Sequence, residues 1–298
     1  MMRLTRWRKW LGAATVFGML LGMMATAQAE QPGTYVFWET WARTDLAVAE
    51  NVDQRTWMWG PEAISETKWE AYVQSEDGYR LVQYFDKSRM EITDPNADPN
   101  DARYVTNGLL AKELITGQVQ FGDDNHDVYV PADIPVAGDF DDPWSPTYAT
   151  FGNLLYVPLG FPGETITAVL DTDGVPWNDD SYEVYGVTTE YYVPETNHRI
   201  ASIFWDFMNA DGPIWRGGGY MLSPLFESPF YATGYPITEA YWAEVKVGGT
   251  YRDVLMQCFE RRCLTFTPGN SEGFEVEAGN IGLHYYVWRY GELPSAYR

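Results

Sequence analysis

Cysteine, histidine and basic residues are scarce in this sequence. It has 2 Cys, 3 His and 20 Lys plus Arg against 42 Asp plus Glu, which gives a net charge of −22. Such an acidic surface repels phosphates and anionic headgroups, so we expect neither nucleic acid nor a lipid surface as a partner. Histidines 126, 198 and 284 are widely separated, and only long-range folding would bring them into a triad or a metal centre.

The signature motifs of several enzyme classes are also missing. The sequence contains no G-x-S-x-G, P-loop, H-E-x-x-H or G-x-G-x-x-G pattern, which are the marks of esterase, phosphate-binding, zinc-protease and dinucleotide sites. We therefore expect no organic cofactor and lean towards a non-catalytic protein.

One long apolar run is present, from Trp10 to Ala27. Basic residues at 3, 6, 8 and 9 precede it and Ala27-Gln28-Ala29 closes it, a pattern that predicts a cleavable signal peptide over residues 1–29. The alternative is a membrane anchor, because the run approaches the ~20 residues that span a bilayer. We expect a secreted or extracytoplasmic monomer with 16 basic and 42 acidic residues after cleavage.

Two stretches of the chain match each other 174 residues apart. Gln83-Tyr84-Phe85 corresponds to Gln257-Cys258-Phe259, and Gly60, Gly108 and Gly117 keep the same distances from Gln83 that Gly234, Gly282 and Gly291 keep from Gln257. Regular internal spacing marks a repeated supersecondary module. We predict two units, with chain divisions at 1–29, 30–117 (first unit and its extension), 118–195 (an inserted acidic β-rich segment) and 196–298 (second unit).

Local patterns predict an α+β, mainly β protein in which hairpin-plus-short-helix units flank the inserted β segment. Alternating hydrophobicity predicts the two hairpins, and Gly108 to Gly117 reads as a short helix closed by glycine. The remaining predictions are short strands between 31 and 55, a helix from Ile64 to Tyr72, strands at 165–170 and 182–193, and a helix from His198 to Asn209.

The two cysteines fall on facing positions of the second hairpin. With Glu260-Arg261 at the centre of its loop, Cys258 and Cys263 would have Cβ atoms about 4.5–5.5 Å apart, within disulfide reach. Export supplies the oxidising surroundings. We predict a Cys258–Cys263 disulfide.

Two acidic stretches suggest calcium loops. Asp94, Asn96 and Asp98 imitate the start of an EF-hand, but Pro99 and Val105 stand where its glycine and its last glutamate belong. A second candidate comprises Asp139, Asp141 and Asp142. Turn chemistry explains the first stretch better, and a solvated acidic loop is the competing interpretation of the second.

The C-terminal motifs resemble a known type of module. Gly234-Tyr-Pro-Ile-Thr-Glu239 followed by Gln257-Cys-Phe-Glu-Arg261 is similar to a repeat module of exported bacterial proteins that carries F-G-Y-P-I-x-E and Q-Y-F-E-R, and more distantly to the LGFP repeats of cell envelopes. The resemblance covers about 100 C-terminal residues. In the first unit Gly60-Pro61-Glu62 departs from the pattern. The resemblance implies an envelope location without a mechanism.

The aromatic content, with 13 Trp, 21 Tyr and 14 Phe, suggests a binding role. Exposed rings stack on sugars, whereas buried rings fill a core. The first function hypothesis is a non-catalytic protein that binds cell-wall or extracellular polysaccharide. Its candidate stacking residues, each of which could instead be core, are Trp57, Trp59, Tyr235, Tyr241 and Trp242.

The second hypothesis is a glycoside hydrolase acting on an extracellular polysaccharide. This chemistry needs two carboxylates about 5–10 Å apart, one with a raised pKa. Glu91, Asp206 and Glu239 lie near aromatic segments where burial could raise a pKa. In a chain with 42 acidic residues, such candidates also arise without any catalytic role.

Overall fold

The computed structural model describes residues 33–155, 157 and 160–298. The predicted signal peptide therefore lies outside the described residues. The helices are α1 (Tyr35–Ala49), α2 (Leu110–Thr116), α3 (Ser202–Met208) and α4 (Ile281–Tyr290).

The strands of the first half are β1 (Lys68–Ala71), β2 (Tyr79–Phe85), β3 (Ser88–Ile92), β4 (Thr106–Asn107), β5 (Gln118–Gly122), β6 (Asn125–Val128), β7 (Ala168–Val169) and β8 (Trp177–Asn178). Those of the second half are β9 (Thr189–Val193), β10 (His198–Ala201), β11 (Asp211–Arg216), β12 (Gly219–Pro224), β13 (Tyr241–Val247), β14 (Thr250–Cys258), β15 (Cys263–Phe266) and β16 (Val276–Ala278).

Two antiparallel meanders dominate the fold. The first sheet has the order β1-β2-β3-β4. The second runs β16-β15-β14-β13-β7-β8, so the inserted segment adds its β7 and β8 to the edge of the second unit. The ribbons β5-β6, β9-β10 and β11-β12 complete an α+β, mainly β architecture, as predicted.

The two hairpins are built alike. Tyr84 pairs with Arg89 in the first, and Cys258 pairs with Cys263 in the second. The disulfide between these cysteines is present, which confirms its prediction. The loop N–H of Lys87 bonds the carbonyl of Trp59 at 3.0 Å, and residues 174 positions on repeat the contact, with Arg261 N–H donating to Thr233 O at 2.9 Å.

The matched glutamines also have matched roles. Gln83 Nε2 donates to Ser65 O at 2.9 Å and its Oε1 accepts from Gly33 N. Gln257 Nε2 donates to Thr238 O at 3.0 Å and its Oε1 accepts from Ala201 N. Each amide thus holds other backbone segments against its hairpin.

The units end alike, but one predicted correspondence is wrong. Helices α2 and α4 end at left-handed Gly117 and Gly291, with φ of 71° and 68°. The N–H of Gly108 bonds the carbonyl of Arg89, whereas the matching carbonyl, that of Cys263, accepts from Gly279 rather than from Gly282. Gly282 lies one helical turn further on, because α4 is longer than α2.

Three hydrophobic clusters form the core, and two of them contain residues of both units. The central one joins Tyr84 and Leu114 of the first unit to Cys258 and Ile281 of the second. A second cluster lies between the larger sheet and α3, and a third packs α1 against the first sheet and the chain around Phe226. The two units therefore share one core.

Several local predictions are wrong. Residues 35–49 form α1 instead of strands, with Phe37, Trp41 and Asp45 buried at helical spacing. Lys68–Ala71 is a strand, where a helix from Ile64 to Tyr72 was expected, because it pairs along β2.

The other departures are partial. Within 165–170 the only named strand is β7, with an isolated bridge from Thr165 to Thr188, and 182–193 divides into a 3₁₀ turn followed by β9. The predicted helix from His198 begins only at Ser202, because His198–Ala201 pairs with β9 across a turn in which Asn197 has a φ of 59°.

Candidate functional site

Three of the five predicted stacking residues are buried. Trp59, Tyr241 and Trp242 have exposed fractions of 1%, 0% and 0%. Trp59 packs on Phe85, and Trp242 donates its indole N–H to the carbonyl of Ile166 at 2.8 Å. These rings belong to the core, so they are not surface platforms for sugars.

The other two, Trp57 and Tyr235, are partly buried. Tyr235 packs edge-on against Phe230 at 4.9 Å, and Phe230 adjoins a stacked pair formed by Tyr191 and Trp205, whose ring centroids are 3.9 Å apart. Tyr235 therefore contributes to a surface aromatic cluster, while Trp57 packs beside the α1 core.

An open cleft of about 390 Å³ lies beside α1. Its other walls are loop 99–105, the tip of the β11-β12 ribbon and segment 225–232. We call it the α1 cleft. Aromatic side chains line every wall: Tyr35, Trp38, Tyr104, Trp215, Phe226 and Tyr231.

The rings of the α1 cleft are placed for contact with a ligand. Tyr35, 70% exposed, stacks on Trp38 with centroids 5.9 Å apart. Trp215 is held edge-on by Tyr220 at 5.1 Å. Among the described residues, the indole N–H groups of Trp38 and Trp215 meet no acceptor, so each can donate to a ligand.

Charged groups rim the same cleft. Arg43 pairs with Glu227 at 2.7 Å and donates to the carbonyl of Pro224, which ties α1 to the opposite wall. The carboxylate of Glu39 lies on the same face of α1 as Tyr35, and its interaction with the phenol raises the pKa of Tyr35. The cleft thus offers carboxylate acceptors and indole donors beside flat apolar rings.

The inner face of α1 fixes the cleft to the core. The helix starts at Thr34, whose hydroxyl accepts from Phe37 N. Fully buried Asp45 accepts hydrogen bonds from the backbone N–H groups of Met58, Trp59 and Gly60 at 2.9, 2.7 and 3.1 Å. Burial raises the pKa of Asp45, while these three donors favour the charged form.

The carboxylates of the glycoside-hydrolase hypothesis are dispersed. Glu91 lies on β3 and bonds Arg80 and Arg89, Asp206 is exposed on α3, and Glu239 is buried beside His198. In the described part of the chain, no two of the three share a hydrogen-bond partner. The structure does not bring them together as an acid–base pair.

Glu91 belongs to a buried ion cluster around Arg89. The guanidinium lies 3.3 Å from Glu70 and 3.9 Å from Glu113, and its Nε donates to Glu91 at 2.7 Å. Burial opposes the charged form of Glu70, but Arg89, Arg289 and the hydroxyl of Tyr84 outweigh it and lower the pKa of Glu70 to about 2. Burial raises the pKa of Glu113.

Divergent carboxylate pKa values can mark acid–base sites, but these groups are nearly inaccessible. The exposed fractions of Glu70, Glu91 and Glu113 are 5%, 5% and 2%. We therefore assign the cluster to the structure of the first sheet.

The first suggested calcium loop is a pair of turns. The carboxylates of Asp94 and Asp98 each accept from the backbone N–H two residues on, those of Asn96 and Asn100, at 2.9 Å. These contacts support the turn interpretation over calcium binding.

The second acidic loop clamps the β13-β14 turn. Asp139 accepts from Gly248 N and Gly249 N at 2.9 and 2.8 Å, Asp142 accepts from Lys246 N, and Asp141 pairs with Lys246 Nζ at 2.7 Å. The described residues contain no cluster of three or more His, Cys, Asp or Glu side chains that could hold a metal ion. The carboxylates that the calcium hypothesis assigned to the ion accept hydrogen bonds from backbone N–H groups or pair with Lys246.

A search for membrane-spanning helices and three comparisons with known proteins bear on the class of the protein. Within the described ranges, no helix combines the length and apolar character needed to cross a bilayer. No protein-family model, curated protein or solved structure matches the sequence or the fold. The function must therefore be argued from the cleft itself.

The sequence predictions missed the α1 cleft. Trp38 was not among the candidates because residues 31–55 were predicted to form strands. Trp215 was not among them because the aromatic residues around it show neither helical nor strand periodicity. The spacing of Tyr35, Trp38, Glu39 and Arg43 places all four on one helical face, which is the signal that could have found them.

Proposed function

We propose that the chain is an exported, non-catalytic protein that binds glycan of the cell envelope or extracellular matrix in the α1 cleft. The observation that carries the proposal is the pairing of open aromatic rings with uncommitted indole donors in one cleft. Sugars present apolar ring faces and a fringe of hydroxyl groups, so flat rings beside polar groups are complementary to them.

Export is supported by the N-terminal pattern and by the disulfide. A basic head, an apolar run and a small-residue cleavage site occupy 1–29, and disulfides persist in oxidising compartments. The resemblance to exported repeat modules favours the envelope as the location.

The matched hairpin contacts support an origin by internal duplication. The α1 cleft nevertheless draws walls from both halves of the chain, since Trp38 precedes the first hairpin and Trp215 precedes the second. We therefore propose a single composite glycan site in place of two equal sites, one on each unit.

The test is binding of the full mature chain to insoluble cell-wall polysaccharides and to soluble oligosaccharides prepared from them. Trp215→Ala should weaken binding at least about tenfold, because truncation of a central aromatic contact costs more than ~1.4 kcal/mol. Trp144→Ala is the matched control: its ring is 67% exposed and lies outside the cleft.

Equal affinity of wild type and Trp215→Ala for a polysaccharide would show that the binding site lies outside the α1 cleft. Failure of the wild type to bind any of these polymers would remove the proposal. Release of reducing sugar by the wild-type chain would replace it by the glycoside-hydrolase alternative.

A further inference from the structure

A second cavity, smaller and more polar, lies between segment 160–168, the β9-β10 ribbon and Glu239. Its volume is about 200 Å³, below the ~300 Å³ at which drug-sized pockets begin, so it suits one small ligand. Polar side chains dominate its wall: Glu164, Thr165, Thr167, Asn178, Arg199 and Glu239. None of these residues lines the α1 cleft. We call it the Glu239 cavity.

Glu239 is a buried carboxylate with an uncommitted oxygen. Its side chain is 4% exposed. Oε1 accepts from Arg199 N at 3.0 Å and lies 3.1 Å from His198 Nδ1. Among the described residues Oε2 has no hydrogen-bond partner. This oxygen is therefore free to accept a hydrogen bond from a ligand hydroxyl in the cavity.

His198 positions the Glu239 carboxylate. Its Nε2 lies 3.0 Å from the carbonyl oxygen of Leu155, and its Nδ1 lies 3.1 Å from Glu239 Oε1. Together with the N–H of Arg199, these contacts fix the orientation of the carboxylate.

Arg199 is the one basic residue among the described residues that line the cavity. Its guanidinium lies over the ring of Tyr192 at 5.0 Å. No carboxylate or carbonyl of the described residues accepts from it. Its planar fork matches a carboxylate in two parallel hydrogen bonds.

We propose that the Glu239 cavity binds one carboxylate-bearing sugar unit, a uronic acid. Arg199 takes the carboxylate, and Glu239 Oε2 accepts from a ring hydroxyl. Threonines 165 and 167 supply hydroxyl partners on the opposite wall. The site is independent of the α1 cleft, and its ligand is a single charged sugar rather than a polymer face.

The test is a calorimetric titration of the full mature chain with glucuronate and galacturonate, and with glucose and galactose as neutral matches. The wild type should bind at least one uronate about tenfold or more tightly than its neutral match, because a hydrogen bond to a charged group contributes more than a neutral one. Arg199→Gln should abolish this preference, and Glu239→Gln should weaken binding of the same uronate.

Arg252→Gln is the matched control, since Arg252 is an exposed arginine of β14 outside the cavity and its loss should leave the preference intact. Thermal unfolding of each variant checks that it is folded, and Arg199→Lys keeps the charge without the fork. Equal affinity of the wild type for charged and neutral sugars, no binding of either, or a preference that survives in folded Arg199→Gln would overturn the proposal. Loss of polysaccharide binding in Trp215→Ala alone concerns the α1 cleft and leaves this site unaffected.

Discussion

At the scale of single residues, the sequence predicted those positions whose role is set by nearby backbone. Gly117 and Gly291 terminate helices in the left-handed region, and the cysteines face each other across one hairpin. Gly282 differs, because its role is set by a segment almost 200 residues away. Spacing along the chain made it the partner of Gly108, and no local pattern reveals the real contact.

Gly282 lies where α4 crosses the first hairpin, and its N–H donates to Asp86 O at 2.9 Å. A Cβ at this position would overlap the carbonyl oxygens of Phe85 and Ser88, which are backbone atoms in the hairpin and cannot rotate away. Gly282→Ala should therefore lower the free energy of unfolding by at least about 1–3 kcal/mol, measured by denaturant titration.

Gly219→Ala provides the control for that change. Gly219 has no atom within 4 Å of an added Cβ, so the variant should stay within about 0.5 kcal/mol of wild type. A Gly282→Ala protein as stable as the control would mean that α4 does not cross the hairpin this closely.

At the scale of elements, the two hairpins and the short helix α2 were predictable, α3 was predicted only in part, and α1 was not predicted. Strand β2 is followed at once by a short turn and a second strand, a pattern that predicts a hairpin. In α1, Tyr35, Phe37 and Trp38 suggested β structure by residue type, while the buried Asp45, which fixes the helix, looks like a surface residue in the sequence. Tertiary hydrogen bonds decided these elements.

The same position in the two hairpins is stabilised by different chemistry. Tyr84 and Arg89 form the heart of an ion cluster, while their counterparts Cys258 and Cys263 form a disulfide inside an apolar cluster. Glu91 and Glu113 of the cluster correspond to Thr265 and Val287, so two of the three acidic partners are lost along with the arginine, while Glu70 corresponds to Glu244.

Removal of Arg89 should expose how the first hairpin depends on charge balance. Arg89→Met leaves Glu70, Glu91 and Glu113 buried with less compensating charge, and we expect a loss of about 3–5 kcal/mol at neutral pH. The folded pKa of Glu70 is lowered to about 2 from an ordinary value of 4.5. Its contribution is therefore present above pH 4.5 and is lost as the pH falls towards 2.

Urea titrations at pH 7 and at pH 3 check this prediction. The difference between Arg89→Met and wild type should shrink at the lower pH, because protonated carboxyl groups no longer need the arginine. Arg103→Met removes an arginine that is 84% exposed and pairs with Asp101, and should change stability by about 1 kcal/mol or less at either pH. A penalty for Arg89→Met that is unchanged at pH 3 would point to lost packing instead.

At the scale of the whole molecule, the fold class followed from pattern but the candidate sites did not. The α1 cleft combines an N-terminal helix with a ribbon about 180 residues later, and the Glu239 cavity combines three separate segments. Two of the candidate site residues named from the sequence line one of these two cavities. Trp59 lines the α1 cleft but is a buried core residue, and Glu239 lines the Glu239 cavity. Aromatic content correctly suggested ring contacts, but which rings are exposed depends on how the two units interlock.

The interlocking is reciprocal. In the first unit, Lys112 N of α2 donates to Glu260 O in the second hairpin; in the second, Gly282 N of α4 donates to Asp86 O in the first hairpin. Arg262, fully buried, extends from the second hairpin to the carbonyl of Met58 at 2.7 Å. Each helix therefore donates an N–H of its first turn to the hairpin of the other unit.

We therefore expect the described chain to unfold in a single transition, although a protein of this length often unfolds in stages. Differential scanning calorimetry should give equal calorimetric and van't Hoff enthalpies.

Fragments 33–195 and 196–298, expressed separately, should remain unfolded, since each would expose half of the central core and the unpaired hairpin carbonyl of Asp86 or Glu260. Mixing or co-expressing them should restore the far-UV circular dichroism of the intact chain. Arg262→Ala should shift the transition to lower temperature without splitting it, because it weakens a contact that both units share. Two resolved transitions, or a fragment that folds cooperatively alone, would show that the units are separate domains in contact and that the composite α1 cleft depends on how they dock.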